Sequence, residues 1–165
     1  MRLTSYRIKT LVLGLGNPIL GDDSVGHKIV REVAGRVKDS NVEFVESAAS
    51  GLALLDNIVG FDRLIIVDAI QTKNGKVGDV YRLSVKDIDI TRHSASAHDT
   101  TLTAALDLGR RLGMAVPRDE NIAIIAVEIS PDYVFSEECS PPVEKAIPVA
   151  VEMVMKEIKD RKSVV

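Results

Sequence analysis

The chain has 165 residues, 45% of them hydrophobic and 4% aromatic, which is a normal size for one domain with a core of Val, Ile, Leu and Ala. A formal net charge of −3 argues against a general electrostatic attraction to nucleic acid or to an anionic membrane surface. The single cysteine, Cys139, excludes an intrachain disulfide, a structural thiolate zinc site and an iron–sulfur cluster held within this chain.

The N-terminal segment 1–10 is polar, and the apolar run 11–15 is far too short for a signal-peptide core or a membrane span. With no export signal and one cysteine, we expect a cytoplasmic protein. We expect one domain over residues 1–165, with a charged tail at about 156–165 that frays.

Short β-branched runs alternate with helical patterns along the chain. The apolar runs, bounded by Gly, Asp or Asn, are typical of strands buried on both faces, and they predict strands at 8–15, 42–45, 64–70 and 122–127 and a weaker one at 77–85. Apolar stripes at helical spacing predict helices at 25–37, 52–59, 102–112 and 143–158. This order predicts an α/β fold, a three-layer sandwich with a mostly parallel sheet.

In such a sheet, ligands bind outside the carboxyl ends of the strands, so the loops there carry the candidate site. Asp22 and Asp23 follow the first strand, Asp68 ends the third, and His98 precedes a helix. Each has an ordinary alternative in helix capping, a loop hydrogen bond or a turn. Together they place carboxylates and an imidazole at one edge, which suits zinc, nickel, manganese or iron. The residues alone are compatible with either a metal site or an acid/base site.

The glycine-rich loop after the first strand does not fit a dinucleotide site. Its Gly-x-Gly spacing places Ile19 where a small residue is required. The two aspartates at the start of the next helix would also repel a pyrophosphate.

The remaining candidates offer less chemistry. Cys139 has acidic neighbours that raise the pKa of its thiol, and it is interpreted as inert. Ser94 and Ser96 lie near His98, but nothing in the pattern orients them as a catalytic triad. Glu128 follows the last predicted strand and is interpreted as a residue that supports the site or contacts a substrate.

Four segments together resemble the hydrogenase maturation endopeptidases, the proteases that trim the C-terminus of the NiFe-hydrogenase large subunit. In chain order they are LGLGNPILGDDSVG at 13–26, SAASGL at 47–52, LIIVDA at 64–69 and SASAHD at 94–99. The resemblance extends from about residue 12 to residue 158, nearly the whole chain.

The resemblance implies a three-layer α/β/α sandwich around a twisted five-stranded sheet. It also implies a nickel-recognising and catalytic site formed by Asp23, Asp68 and His98. The position of Asp23 is Glu in some members, and Asp reaches one methylene less far. Asp99 stands where many members have a polar or small residue, and it either orients His98 or caps the helix.

The implied reaction is an aspartic-type cleavage of one peptide bond in the hydrogenase large-subunit precursor, after nickel insertion. Nickel is recognised in the precursor and is not held tightly by the free protein, which is expected to be a monomer without nucleic-acid or membrane partners. The nickel either acts on the scissile carbonyl or a bound water, or is a recognition handle while a carboxylate activates water.

Three alternatives remain open. A nickel-docking or chaperone protein without catalysis would use the same scaffold, and a divergent family member would use another substrate. Peptidyl-tRNA hydrolase also begins with a strand that runs into Gly-Leu-Gly-Asn-Pro. Its next segment differs from Gly21, Asp22 and Asp23 here, and the acidic composition disfavours a tRNA ligand.

Overall fold

The computed structural model describes residues 6–90 and 97–160, apart from the side chains of 89–90 and 97–101. In this part of the chain the strands are β1 (Thr10–Leu15), β2 (Val42–Ser47), β3 (Arg63–Ile70), β4 (Val80–Leu83) and β5 (Ile122–Glu128). The helices are α1 (Val25–Arg36), α2 (Leu54–Ile58), α3 (Val85–Ile90), α4 (Ala97–Arg111) and α5 (Pro141–Lys159). Short 3-10 turns lie at Gly21–Ser24, Gly51–Ala53 and Asp119–Asn121.

The strands form one five-stranded sheet in the order β2-β1-β3-β5-β4. Strands β2, β1, β3 and β5 are parallel, and the edge strand β4 pairs antiparallel with β5. The predicted α/β fold with a mostly parallel, five-stranded sheet is therefore confirmed. The weak pattern at 77–85 is the antiparallel edge strand, which is only half-buried and for that reason lacks a continuous apolar run.

Helices cover both faces of the sheet, and alternate strand residues pack on opposite sides. Val12, Ile65 and Ile125 face a core that includes α1 and α5. Leu13 and Ile66 face a second core that includes α2, α3 and α4. The strands between these cores are buried on both faces, which explains their continuous apolar sequences.

Two features differ from the prediction. The six-residue helix α3 was not predicted, because an element this short displays no clear helical period. The frayed tail predicted at about 156–165 is wrong for 156–159, since α5 continues to Lys159 and Glu157 and Ile158 are buried against the rest of the protein. Among the described helices, none is long and apolar enough to cross a membrane.

The end of α5 is fixed by a partly buried ionic cluster at the amino edge of the sheet. Arg82 donates two hydrogen bonds of 2.8 Å to the carboxylate of Glu157, in a bidentate arrangement. The buried Arg63 donates to the same carboxylate at 3.3 Å and to the backbone carbonyl of Glu157. The hydrogen bonds from Arg82, together with the charges of both arginines, hold the pKa of Glu157 below its usual range despite its burial.

We predict that Glu157→Gln lowers the free energy of unfolding by about 1.5–3 kcal/mol at pH 7, because charged hydrogen bonds to two arginines are lost. A lowered folded-state pKa means that the contribution is fully present above the unfolded pKa of about 4.3 and is lost as the pH falls through the folded value. Urea titrations of both proteins between pH 3 and pH 8 measure this difference.

Glu152→Gln on the same helix is the matched control, because Glu152 forms an exposed ion pair with Arg36. We expect it to change the free energy of unfolding by less than about 1 kcal/mol. A Glu157→Gln effect as small as that of the control, or one that does not shrink below pH 4, would contradict the assigned role of the cluster.

Candidate functional site

The carboxyl edge of the sheet carries the two aspartates that the sequence singled out. Asp68 lies near the end of β3, opposite Ala126 of β5, and is only 4% exposed. By strand alternation it lies on the face that α4 covers, and its Oδ1 accepts a hydrogen bond of 2.8 Å from the backbone N–H of Ala69. Asp23, at 9% exposure, lies in the 3-10 turn that leads into α1.

A close approach of helix and strands brings these two aspartates to one edge. A Cβ atom added to Gly26, in the first turn of α1, would lie 2.5 Å from the carbonyl oxygen of Leu15 and closer still to that of Val67. The start of α1 therefore rests directly on the carboxyl ends of β1 and β3. Because Val67 immediately precedes Asp68, the turn that contains Asp23 lies at the same end of β3 as Asp68.

The loop after β1 folds back over Asp23 and orients its carboxylate. Gly16 adopts a φ of 136°, and a Cβ atom there would clash with the carbonyl oxygen of Asp23, so glycine is required. The backbone N–H of Asn17 donates a hydrogen bond of 3.0 Å to Oδ2 of Asp23. One carboxylate oxygen is thus fixed by the loop, which directs the side chain without using both oxygens.

The neighbouring Asp22 has a different task. Its carboxylate accepts hydrogen bonds from the backbone N–H of Ser140 at 2.6 Å and from its hydroxyl at 2.8 Å. Ser140 is the N-cap residue of α5, so Asp22 joins the loop to that helix. The alternative in which Asp22 or Asp23 caps α1 is not what the structure shows: both lie in the 3-10 turn before the helix, and the N-cap position belongs to Ser24, whose hydroxyl donates to the carbonyl of Gly21 at 2.6 Å and makes no cap hydrogen bond.

The third predicted ligand, His98, falls in the first turn of α4, and its side chain lies outside the described residues. The same holds for Asp99, while Ser94 and Ser96 lie outside the described backbone as well. Among the side chains that are described, no three His, Cys, Asp or Glu residues gather as a metal site would require. The proposed grouping of Asp23, Asp68 and His98 therefore stays a prediction.

Cys139 is buried beside the loop, where its sulfur lies 3.6 Å from the Ser24 hydroxyl. Burial is the main reason why the pKa of its thiol is raised, and the charges of Asp22 and Glu144 add to the increase. The predicted direction is confirmed, although burial rather than acidic neighbours in sequence is the main cause. A thiol with a raised pKa is a poor nucleophile, in line with the inert role.

Glu128 ends β5 and is buried, and its described contacts are with the loop that follows β3. Its carboxylate accepts hydrogen bonds from the Thr72 backbone N–H at 2.7 Å and from the Thr72 hydroxyl at 3.1 and 3.0 Å. Gly75 lies so close that a Cβ atom there would clash with this carboxylate. Glu128 thus anchors the loop between β3 and β4, beside a cavity of about 290 Å³.

His27 in α1 has a structural role that the sequence pattern did not indicate. Its Nε2 lies 3.1 Å from the carbonyl oxygen of Ser47, which also accepts a hydrogen bond of 3.3 Å from the backbone N–H of Gly16. The carboxyl end of β2 is in this way tied to the loop over Asp23. The sequence offered no clear signal for this role, because His27 lies outside the apolar stripe of the helix and its burial depends on the tertiary contact with β2.

Comparison with known proteins identifies a family and solved structures of the same fold. The family model described as hydrogenase maturation protease (HycI) matches residues 27–157. The chain belongs to the hydrogenase maturation protease family. A putative hydrogenase maturation protease of Methanocaldococcus jannaschii is 30% identical over 154 residues, which is 90% of this chain and 96% of the relative.

Solved structures show the same likeness. The hydrogenase maturating endopeptidase HybD from Escherichia coli has a TM-score of 0.80 and 28% identity, with 93% of each chain covered. A NiFe hydrogenase maturation protease HybD from Thermococcus kodakarensis has a TM-score of 0.68 and 26% identity, covering 90% of this chain and 98% of that one. The endopeptidase class expected from the sequence is confirmed by this membership.

We predict that Gly26→Ala lowers the free energy of unfolding of this maturation protease by at least about 1–3 kcal/mol, because the methyl group would meet backbone oxygens that cannot move aside. Gly35→Ala on the same helix is the control, since a Cβ atom there meets nothing within 4 Å. We expect the control to be neutral or to stabilise by up to about 1 kcal/mol. Chemical denaturation measures the free energy of unfolding of both variants. Equal effects of the two substitutions would rule out the close contact between α1 and the carboxyl ends of β1 and β3.

Proposed function

We propose that this chain is the endopeptidase that removes a C-terminal peptide from the precursor of a NiFe-hydrogenase large subunit after nickel insertion. The observation that carries the proposal is that two buried aspartates, Asp23 and Asp68, both lie at the carboxyl edge of the sheet in a chain of the hydrogenase maturation protease family. The loop over Asp23 and the close contact of α1 with the strands support the placement of Asp23 at that edge.

The donor set suits a nickel ion that arrives as part of the substrate. Asp23 and Asp68 supply carboxylate oxygens, and His98 would supply an imidazole nitrogen, a combination that binds borderline divalent ions. Cys139, the single cysteine, is buried against Ser24 and Gly21, so this chain offers no exposed thiolate at the edge. In this proposal the thiolate ligands of the nickel belong to the precursor, and the protease approaches from the open side.

The reaction is hydrolysis of one peptide bond. A water oxygen bonds to the scissile carbonyl carbon, the C–N bond breaks, and the leaving nitrogen gains a proton. An aspartate at the edge accepts the proton of the attacking water, which is the role that a positioned carboxylate performs in acid/base catalysis. A nickel ion held in the precursor would supply Lewis acidity near the same carbonyl.

We predict that Asp23→Asn lowers the rate of precursor processing by roughly 100-fold or more, in the range of a lost acid/base group. Its melting temperature should change little, because the amide oxygen can still accept the hydrogen bond from Asn17. Asp68→Asn and His98→Ala should have the same effect on processing. Mass spectrometry of the nickel-loaded precursor, before and after incubation, measures the loss of its C-terminal peptide.

The adjacent Asp22→Asn is the matched control, because Asp22 serves α5 rather than the site. We expect it to process the precursor at a rate close to that of the wild type, with some loss of stability. Normal processing by Asp23→Asn, or its abolition by Asp22→Asn alone, would show that the wrong aspartate has been assigned. Tight precursor binding by the wild type without cleavage would favour a docking protein instead.

Nickel recognition leads to a further prediction. A precursor prepared without nickel should not be cleaved, because the carboxylates would have no ion to hold at the edge. Reconstitution of the same preparation with nickel should restore cleavage, and zinc provides a control for the charge alone. Equal cleavage rates for the nickel-free and nickel-loaded precursors would show that the metal does not control the reaction.

A further inference from the structure

An exposed apolar surface lies next to the turn that carries Asp23. Ile19 is 50% exposed, Tyr133 58%, Val134 62% and Phe135 84%. We call these four residues the apolar rim. Single exposed apolar residues are ordinary, but a contiguous group beside a reaction site marks a binding surface.

Hydrogen bonds fix the position of the apolar rim. The backbone N–H of Gly21 donates to the carbonyl of Ser136 at 2.7 Å, and the N–H of Ser136 donates to the carbonyl of Ile19 at 3.0 Å. The side-chain amide of Gln71 donates to the Tyr133 hydroxyl at 3.1 Å. The two loops that carry the rim therefore form one rigid unit, joined by a short parallel bridge.

The backbone of the rim also offers hydrogen bonds. Within the part of the chain that the structure describes, the N–H groups of Tyr133, Val134 and Phe135 have no hydrogen-bond partner. Unpaired N–H groups beside exposed apolar side chains are suited to binding a peptide, in which backbone bonds give affinity and side chains give selectivity.

The rim adjoins Asp23 through one turn. The N–H of Asp23 donates to the carbonyl of Leu20 at 3.1 Å, and Leu20 is the residue paired with Ser136. Such a turn spans at most about 7 Å, and paired strands are about 5 Å apart. The turn and the strand spacing together correspond to about four residues of an extended chain, which rises about 3.3 Å per residue. About four substrate residues therefore separate the rim from a bond placed at Asp23.

We propose that the apolar rim binds an extended, apolar segment of the substrate polypeptide, about four residues from the bond that is cleaved. This inference rests on the proposed function, since that function supplies a polypeptide at Asp23. Asp132, Glu137 and Glu138 are exposed on either side of the rim and would favour basic over acidic residues at the ends of the bound segment.

A site-specific cross-link identifies the polypeptide that the apolar rim binds. Phe135→p-benzoylphenylalanine, irradiated with the nickel-loaded precursor, should attach to residues near the cleavage site, identified by mass spectrometry of the peptides. Leu112→p-benzoylphenylalanine is the matched control, because Leu112 is also apolar and well exposed, at 65%, but follows the far end of α4. Cross-links to a distant part of the precursor, or to a second copy of this chain, would overturn the proposal.

Steady-state kinetics give a second readout. The double variant Val134→Ser, Phe135→Ser should raise KM for the precursor about tenfold or more and leave kcat within about twofold, the pattern of lost uniform binding. Phe135→Leu should keep most of the wild-type KM, and Leu112→Ser should match the wild type. An unchanged KM in the double variant contradicts the proposal.

Cross-linking and cleavage together distinguish a failure of the rim proposal from a failure of the proposed function. Cleavage by the wild type without a cross-link from position 135 overturns the rim while the proposed function stands. A cross-link to the C-terminal segment of the precursor, without any cleavage by the wild type, supports the rim and overturns the proposed protease.

Discussion

The close contact between α1 and the sheet is the constraint on which the site depends. Gly26 allows the helix to rest on the carbonyl oxygens of Leu15 and Val67, and no larger residue fits without moving backbone. This contact sets where the preceding turn lies, and with it the position of Asp23 at the carboxyl edge of the sheet. The loop over Asp23, the bridge to the apolar rim and the junction with α5 all extend from that turn.

The layered fold was predictable because its strands are buried on both faces, so apolar runs such as those of β3 and β5 are unambiguous. The short helix α3 and the end of α5 were not, since they depend on tertiary contacts. The Glu157 carboxylate holds α5 in place through Arg63 and Arg82, which are distant in sequence. No local pattern around residue 157 reveals partners 75 and 94 residues away.

The candidate site, like the fold, was predictable from the sequence only in part. The residue types and their order along the chain indicated Asp23, Asp68 and a carboxyl-edge location. Sequence alone did not separate Asp22 from Asp23, because both precede the same helix and only the fold brings Ser140 to one of them. The apolar rim was also missed, although its sequence YVF stands out between acidic residues, since exposure is decided by how the loop after β5 is bridged to Leu20.

The proposed function requires Asp23, Asp68 and His98 to share one divalent ion. Diffraction from crystals of the protein soaked with nickel, recorded on both sides of the nickel absorption edge, locates such an ion. We expect one anomalous peak within coordination distance of a carboxylate oxygen of each aspartate and of a His98 nitrogen. A nickel peak bound elsewhere, with none between Asp23 and Asp68, would show that these residues do not form a metal site.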